Sequence, residues 1–537
     1  MIFTSILIII VAMALPSLNK SISPNLLVRI SSIVFILAGV LAFNTFYIQS
    51  IGSGIGIYSG LFQVNILSQF LEVFTLVIGS LVLISWISFI KNNNMAQAHI
   101  TIKNYASEYS ILVLFSTLGA CLLISSNDLI SMYLSIELQS FGVYILSTLY
   151  RDSESSTSAG LKYFLLGGLS SCLILLGSGL IYSFTGLTNL ESIYSLISVN
   201  SISNINQGIS LGFIFIIIGF LFKIAAAPLH NWAPDVYDDT PTIVTIWLTI
   251  MPKISIIIFL IEIYTHIGLI NIPLIIETLN ISNIELNIIS NIEISTISII
   301  KNLLLISSLL SLLIGTIVGL GQSKIKRLLA YSTISHVGFL LLALAINSEQ
   351  SIDSLIFYLI QYSLTNLNTF LIIIAFGLLL KNNSENIIGN FKGTEKDIKY
   401  IKELKGQFFA NPLLSLSLTI CLFSMAGIPP LIGFFSKQFV LYSAIQNGYY
   451  FMSIVGIIVS IISASYYLKI IIVLNTNSHN STHASAHNNN NNNNNYTLSY
   501  IHTYLISCLS LIILFFIFKP STLLNITRLL SLAIFNY

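Results

Sequence analysis

The sequence predicts an all-α, polytopic membrane protein with about fourteen transmembrane helices. Composition is the first observation, because 55% of the 537 residues are hydrophobic and only 8% are charged, with a mean hydropathy of +0.89. A soluble domain carries about a quarter charged residues, so a surface this poor in charge requires lipid as its solvent. Two further observations are the proline and glycine breaks inside two long apolar segments and the lysines kept within apolar segments.

The apolar segments are each about as long as a bilayer-spanning helix, which needs about 20 residues. In the first half of the chain they are residues 2–18, 26–48, 70–90, 108–126, 129–150, 159–185, 207–227 and 242–270. In the second half they are residues 302–322, 324–346, 352–380, 408–446, 449–474 and 499–518.

The loops between these segments predict the orientation of the chain. When the loops are assigned alternately to two sides, most of the 22 Lys and Arg residues fall on one side, and only Lys301, Lys519 and Arg528 fall on the other. Positively charged loops remain on the matrix or cytoplasmic side of a membrane. Both termini are therefore expected to face the opposite compartment. The abundance of Ile, Asn, Ser, Phe and Tyr indicates an A+T-rich coding sequence, which favours an organelle genome.

The order of the segments predicts two five-helix repeats. Each repeat has a break in its fourth helix, and because five is an odd number, consecutive copies must be inverted in the membrane. The predicted regions are an N-terminal three-helix region (1–107), the first repeat (108–270), a surface connection (271–301), the second repeat (302–474), an Asn-rich disordered loop (475–498) and a C-terminal helix (499–537).

Several ionisable side chains are predicted to lie at membrane depth. They are Glu137, Lys162, Lys223, Lys253, His336 and Lys437. A charged group there costs at least about 2.5–3.5 kcal/mol, so such residues usually mark ion pathways. Burial disfavours the ammonium form of a lysine and a nearby carboxylate favours it, while histidine titrates near neutral pH. A proton relay is therefore favoured over two alternatives, which are ion pairs that only fix helix packing and lysines that reach to the interface.

Both predicted helix breaks lie close to a lysine. The first break contains Pro228 and His230 and follows Lys223; the second contains Gly427, Pro429 and Pro430 and precedes Lys437. Proline removes a backbone donor and interrupts a helix. Unpaired backbone at membrane depth occurs only where protein or a water-filled cavity covers it. Breaks at corresponding places in two repeats predict transport sites.

Other classes of site are not expected in this chain. The four cysteines are far apart in sequence and form no CxxC spacing, which argues against iron–sulfur and zinc sites. A net charge of +2 without a basic cluster argues against nucleic acid as a partner. His479, His483 and His487 lie beside the Asn run 488–495; a disordered tract is the favoured interpretation, and a metal site is the alternative.

Three motifs resemble the subunit 2 family of NADH:ubiquinone oxidoreductase, or respiratory complex I. They are residues 223–242 (KIAAAPLHNWAPDVYDDTPT), 330–338 (AYSTISHVG) and 424–437 (SMAGIPPLIGFFSK). With Glu137 and Lys162 they span most of the chain in the expected order. This chain departs from the family at Asp239, where a glycine is usual, and in its Asn-rich insert.

The resemblance implies a proton-translocating membrane subunit of complex I in the mitochondrial inner membrane, with the termini on the intermembrane-space side. It implies that Glu137 and Lys223 form a switching pair with Lys162 beside them, that Lys253 and His336 continue the path, and that Lys437 ends it.

The expected partners are other membrane-arm subunits of complex I, including the other antiporter-like subunits, and membrane lipids. NADH, FMN, iron–sulfur clusters and ubiquinone are expected in partner subunits, since no redox motif occurs in this chain. The alternative functions are a subunit of a multisubunit sodium/proton antiporter and a structural membrane scaffold.

Overall fold

A computed structural model describes residues 1–14, 24–48, 54–87, 98–199, 203–266, 286–385, 397–476 and 498–535. The helices of the first half are α1 (Ile2–Ala14), α2 (Pro24–Ile48), α3 (Ile66–Ile87), α4 (Ala98–Ile124), α5 (Leu129–Ser147), α6 (Glu154–Thr185), α7 (Leu190–Val199), α8 (Ser203–Ile224), α9 (Trp232–Asp239) and α10 (Thr242–His266). Those of the second half are α11 (Leu286–Leu320), α12 (Ile325–Ile346), α13 (Glu349–Glu385), α14 (Gln407–Ala410), α15 (Pro412–Ala426), α16 (Ile432–Gln446), α17 (Tyr450–Asn475), α18 (Tyr500–Phe515) and α19 (Ser521–Phe535).

The predicted all-helical membrane fold is confirmed. Within the described residues, eleven helices are long and apolar enough to cross a membrane, and α1, α15, α19 and part of α4 are shorter apolar helices. Each predicted segment corresponds to a helix, except that segment 408–446 is divided by the break between α15 and α16. The other predicted break lies between α8, which ends within segment 207–227, and α9, which begins after it. The predicted Asn-rich loop lies almost entirely outside the described residues.

Three details differ from the sequence-based boundaries. Helix α11 begins at Leu286, so its first turns extend into the predicted surface connection 271–301, because the Ile-rich composition there continues the apolar helix. The C-terminal region holds two helices instead of one, since α19 follows α18 after a short turn. A two-stranded antiparallel hairpin, β1 (Ile55–Ile57) and β2 (Phe62–Val64), precedes α3 and was not predicted.

Helix α10 occupies the core of the bundle. Its apolar span from Thr242 to Tyr264 is completely buried, and most of α12 and α13 is buried beside it. By contrast, only about a third of the span of α6 is buried within the chain. The central three helices therefore carry the polar groups that are shielded most completely from lipid.

The two repeats share a close helix crossing. A Cβ on Gly119 of α4 would lie 2.5 Å from the backbone nitrogen of Gln139 on α5. A Cβ on Gly315 of α11 would lie 2.7 Å from the backbone nitrogen of Ser335 on α12. Only glycine allows the backbones to approach this closely. The first two helices of each repeat therefore pack in the same way.

The reciprocal contact is also repeated. Gly142 of α5 faces α4, and Gly338 of α12 faces α11, in each case against backbone and side-chain atoms of the partner helix. The spacing between the two glycines of each crossing is identical, since 142 − 119 and 338 − 315 are both 23. This geometric equivalence supports the predicted repeat, although the two halves share little sequence.

At one end of the bundle, loops from both repeats are joined. The Asp397 carboxylate accepts hydrogen bonds at 3.0 Å from both the backbone nitrogen and the hydroxyl of Thr242. The same carboxylate forms an ion pair with Lys326. Lys324 and Tyr400 form an isolated antiparallel bridge. Asp397 thus caps the N-terminus of α10 from a loop of the second repeat, which fixes the two repeats relative to each other.

Candidate proton-transfer site

Glu137 and Lys223 form a buried ion pair between α5 and α8. The Lys223 Nζ lies 3.0 Å from Oε1 of Glu137, and the two side chains are only 7% and 13% exposed. Lys223 lies in the last turn of α8, where the carbonyl end of the helix stabilises a cation. The hydroxyl of Ser140 donates a hydrogen bond at 3.0 Å to the Glu137 backbone carbonyl. The structure therefore brings these two predicted residues into direct contact.

Lys162 lies in a different environment from the one that the resemblance implies. Its Nζ lies 3.2 Å from Oδ2 of Asp235, and its side chain is 53% exposed in the isolated chain. The other carboxylate oxygen of Asp235 accepts a hydrogen bond at 3.0 Å from Arg327. The structure thus pairs Lys162 with α9 and α12, through Asp235, and gives it no direct contact with Glu137 or Lys223. Sequence reasoning missed Asp235 because it is 73 residues from Lys162.

Lys253 is buried in the middle of α10 among aromatic side chains. Its Nζ donates a hydrogen bond at 3.1 Å to the Tyr362 hydroxyl on α13. The ammonium also lies 5.5 Å from the Tyr362 ring centroid and 5.8 Å from that of Tyr237, within the range of cation–π attraction. Pro252 precedes this lysine inside the helix. Lys253 is therefore held by hydroxyl and ring contacts, with no carboxylate among its described partners.

His336 lies on α12 between two tyrosines. Its Nδ1 is 2.6 Å from the Tyr358 hydroxyl, and its Nε2 is 3.4 Å from the Tyr467 hydroxyl. The imidazole centroid is 5.8 Å from the ring of Tyr362, the tyrosine that accepts the hydrogen bond from Lys253. His336 and Lys253 therefore both lie against the side chain of Tyr362.

Lys437 occupies the second helix break. Its Nζ donates hydrogen bonds of 2.8 Å and 2.9 Å to the backbone carbonyls of Met425 and Ala426, at the end of α15. The last carbonyls of a helix lack internal partners and carry partial negative charge. In the first break, Trp232 provides the partner for a helix-end carbonyl. Its indole N–H donates a hydrogen bond of 2.9 Å to the carbonyl of Phe222.

The predicted break residues lie where the helices end. Ala225 and Gly427, the first residues after α8 and α15, both have positive φ angles, of 64° and 87°. Pro228 and Pro430 follow three residues later in each case, and the peptide bond before each is cis. Pro429 lies in the second break, and His230 in the first, where its Nδ1 is 3.3 Å from the carbonyl of Pro228. The breaks are thus equivalent in backbone conformation.

Helix α13 carries a polar face that the sequence-based analysis missed. Tyr358, Gln361, Tyr362 and Thr365 recur at the i, i+3, i+4 and i+7 spacing that places residues on one helix face. They contact His336, Lys253 and Ser436 on three other helices. Helical periodicity applied to polar residues instead of apolar ones would have found this face.

A polar cavity of about 650 Å³ lies at the end of the bundle where the Asp397 loop joins the repeats. Its lining includes Asp238, Asp239, Lys324 and Glu403. The hydrogen bond from Lys324 to Asp238 raises the pKa of this lysine. Burial, followed by the negative charge of Asp238, raises the pKa of Asp239 above its ordinary value of 3.8. Asp239 ends α9 in helical conformation, so this position does not require the glycine that is usual in the family.

Substitution Asp239→Asn is expected to stabilise the protein at neutral pH. A raised pKa means that the folded state prefers the protonated carboxyl group, so the ionised form disfavours folding above that pKa. The gain should shrink as the pH falls from above the raised pKa toward 3.8 and should vanish below 3.8, where the carboxyl group is protonated in both the folded and the unfolded state. Thermal unfolding midpoints at several pH values measure this, with the exposed Glu191→Gln as control. A pH-independent difference between Asp239→Asn and the wild type would contradict it.

Comparison with known proteins identifies relatives along the whole chain. A family described as "NADH:quinone oxidoreductase/Mrp antiporter, TM" matches residues 126–284 and 272–463, more than half of the sequence. NADH-ubiquinone oxidoreductase chain 2 of Rhizopus oryzae is 48% identical, and the alignment covers 100% of both chains.

Two solved structures share the fold. A chain of respiratory complex I from Thermus thermophilus is 23% identical with a TM-score of 0.70, covering 98% of this chain and 99% of its own. A chain of the Mrp complex from Dietzia sp. DQ12-45-1b is 18% identical with a TM-score of 0.74, covering 100% and 96%. At these identities the likeness shows the fold alone, so the family assignment depends on sequence. Taken together, the full-length match and the family match show that this chain belongs to the family of antiporter-like NADH:quinone oxidoreductase membrane subunits that includes NADH-ubiquinone oxidoreductase chain 2.

Proposed function

We propose that this chain is a proton-translocating core subunit of NADH:ubiquinone oxidoreductase in the mitochondrial inner membrane. The main support for the proposal is that three sets of buried charged side chains, here called stations, lie in one helix bundle. The first station is Glu137 with Lys223, the second is Lys253 with His336, and the third is Lys437. A chain in which only 8% of the residues are charged retains these groups inside its helix bundle, which favours ion movement over packing.

The proposed mechanism begins at the first station. When the ion pair is closed, Glu137 stabilises the protonated form of Lys223. When the pair opens, the ammonium loses that stabilisation inside a medium that disfavours charge, and the proton moves to the next station. Tyr362 connects Lys253 to His336, and the polar face of α13 continues toward Ser436 and the adjacent lysine at the third station.

The energy must come from outside this chain. Moving one charge outward works against about 2.3 kcal/mol per 100 mV of membrane potential. Opening the ion pair between Glu137 and Lys223 therefore requires a conformational change that stabilises the open state and the closed state to different extents. We propose that partner subunits holding NADH, FMN, iron–sulfur clusters and ubiquinone supply it, and that this chain itself holds no redox cofactor. Its other partners would be neighbouring membrane-arm subunits, including the other antiporter-like subunits, and lipids.

The charge asymmetry of the loops supports an orientation with the 650 Å³ cavity on the matrix side. Tyr150, Asp239, Lys324 and Lys399 line this cavity and come from four loops or helix ends that the sequence assigns to the positively charged side. The termini would then face the intermembrane space. We propose this cavity as the end of the chain that contacts the proton-donating aqueous phase.

Substitution Lys437→Ala tests the proposed function against its alternatives. In reconstituted complexes with normal subunit content, we expect NADH:ubiquinone turnover and proton pumping to fall together by at least about tenfold. The matched control is Lys301→Ala, because Lys301 lies on α11 over the ring of Tyr449 and away from the three stations. Full pumping by assembled Lys437→Ala complexes would favour a scaffold. Activity that requires sodium would favour an antiporter subunit.

A further inference from the structure

Gln139 and Ser255 form a buried polar contact between α5 and α10, the helices that carry Glu137 and Lys253. The amide nitrogen of Gln139 lies 2.9 Å from the Ser255 hydroxyl, and its amide oxygen lies 3.0 Å from the same hydroxyl. Both side chains are almost completely buried, at 3% and 0% exposure. Gln139 follows Glu137 by two residues on α5, and Ser255 follows Lys253 by two residues on α10. The contact therefore joins the helix of the first station directly to the helix of the second.

A small cavity adjoins this contact. It has a volume of about 20 Å³ and is bounded by Lys223, Gln139, Ser140 and Tyr144. A cavity needs about 10–15 Å³ and two to four polar partners to hold a water molecule. The space is therefore large enough for one water molecule, and Lys223 and Gln139 both line it.

The Ser255 hydroxyl has three alternative acceptors for its single proton, which are the Gln139 amide oxygen and the carbonyls of Pro252 and, at 3.4 Å, Met251. It can donate to the Gln139 amide oxygen, or it can donate at 3.1 Å to the carbonyl of Pro252 while accepting from the Gln139 amide nitrogen. A hydroxyl has one donor and two acceptor sites, so these arrangements exclude each other. The direction of the hydrogen bond between Gln139 and Ser255 therefore depends on which acceptor takes the Ser255 proton.

We propose that Gln139 is a positioning residue that, with Ser255 and one bound water, links the first charged station to α10, the helix that carries Lys253. The second half contains a similar contact, in which the Ser436 hydroxyl lies 3.4 Å from the amide oxygen of Gln361, next to Lys437 and Tyr362. This inference rests on the proposed function. An amide neither gains nor loses a proton at physiological pH, so Gln139 orients the neighbouring donors and acceptors and does not itself carry the proton.

The first test is a double-substitution cycle in reconstituted complexes. Gln139→Leu and Ser255→Ala are each expected to lower coupled NADH:ubiquinone turnover about three- to tenfold, the range of one lost hydrogen bond. The double variant should be no slower than the slower single variant, because both changes remove one link. Ser255→Thr keeps the hydroxyl and should recover most of the rate. Independent effects that multiply in the double variant would overturn the proposal.

The second test compares one preparation at two pH values, so that assembly is the same in both. In Gln139→Glu, the protonated carboxyl group keeps one donor and one acceptor, and the lower of the two pH values, 6 and 8.5, favours this form. At pH 8.5 the carboxylate no longer donates to Ser255 and competes with Glu137 for Lys223. We expect the rate relative to wild type to be about threefold lower at pH 8.5 than at pH 6. The matched control is Gln69→Glu, because the Gln69 side chain is also buried and its amide donates to the Ala42 carbonyl on α2.

The outcomes separate this inference from the proposed function. If Gln139→Glu and Gln69→Glu have the same pH profile while Glu137→Gln still blocks pumping, the linking role of Gln139 is wrong and the relay stands. If Glu137→Gln also pumps normally, the proposed function is wrong.

Discussion

Substitution Lys223→Met is expected to abolish proton pumping and to reduce coupled NADH:ubiquinone turnover by at least a hundredfold. The change removes the only cation described within hydrogen-bond distance of the Glu137 carboxylate. Breaking a buried pair by removing one partner costs about 3–5 kcal/mol, because the other charge remains buried. Pumping is measured with a pH-sensitive dye in proteoliposomes, after the subunit content has been checked.

A double variant separates the loss of stability from the loss of function. Lys223→Met combined with Glu137→Gln removes both charges, so the buried carboxylate disappears and stability should largely return. Pumping should not return, since the switching pair is absent. Lys301→Met, which removes a lysine outside the three stations, should pump normally. Recovery of pumping in the double variant would show that Lys223 serves only to neutralise Glu137.

Substitution Gly433→Ala is expected to lower the free energy of unfolding of the second half by about 3 kcal/mol, at the upper end of the usual cost of overpacking. A Cβ at this position would lie 1.8 Å from the backbone carbonyl oxygen of Ser424. Helix α16 would have to move away from α15, which would take Lys437 from the carbonyls of Met425 and Ala426. We therefore expect loss of both thermal stability and pumping.

The control for this change is Gly168→Ala. Gly168 lies in the middle of α6, and a Cβ there would meet no atom within 4 Å. Alanine is favoured over glycine in a helix by up to about 1 kcal/mol, so the control should be neutral or slightly stabilising. If Gly433→Ala were as stable as Gly168→Ala, the close packing of α15 against α16 would be incorrect.

The charge pattern of the sequence identified Glu137 and Lys223 as candidates, and the structure places them in an ion pair. Glu137 and Lys223 lie in long apolar segments, and a charge placed there almost requires a partner of opposite sign. The same reasoning selected Lys162, but the structure pairs this lysine with Asp235 on the short helix α9. The sequence of that helix resembles a loop, because Pro228 and Pro234 flank a polar segment. Only the folded chain shows that α9 packs beside α6.

Other features could not be predicted from apolar periodicity. Helix α19 has only 15 residues and buries one face with Thr527, Leu530, Ser531 and Ile534, so it falls below the length expected of a spanning segment. The polar face of α13 was missed because the segment was judged by its hydrophobicity alone. The backbone contacts of Gly119 and Gly315 depend on which helices cross, which a single sequence does not specify.

Substitution Glu137→Gln removes the charge of the first station and changes few atoms, so it isolates the role of the Glu137 carboxylate in pumping. The measurement is proton pumping against NADH:quinone turnover in reconstituted complexes that have assembled normally. We predict that both are lost, since a neutral amide no longer stabilises protonated Lys223. Full turnover with full pumping would contradict the account and would assign the buried charges to helix packing.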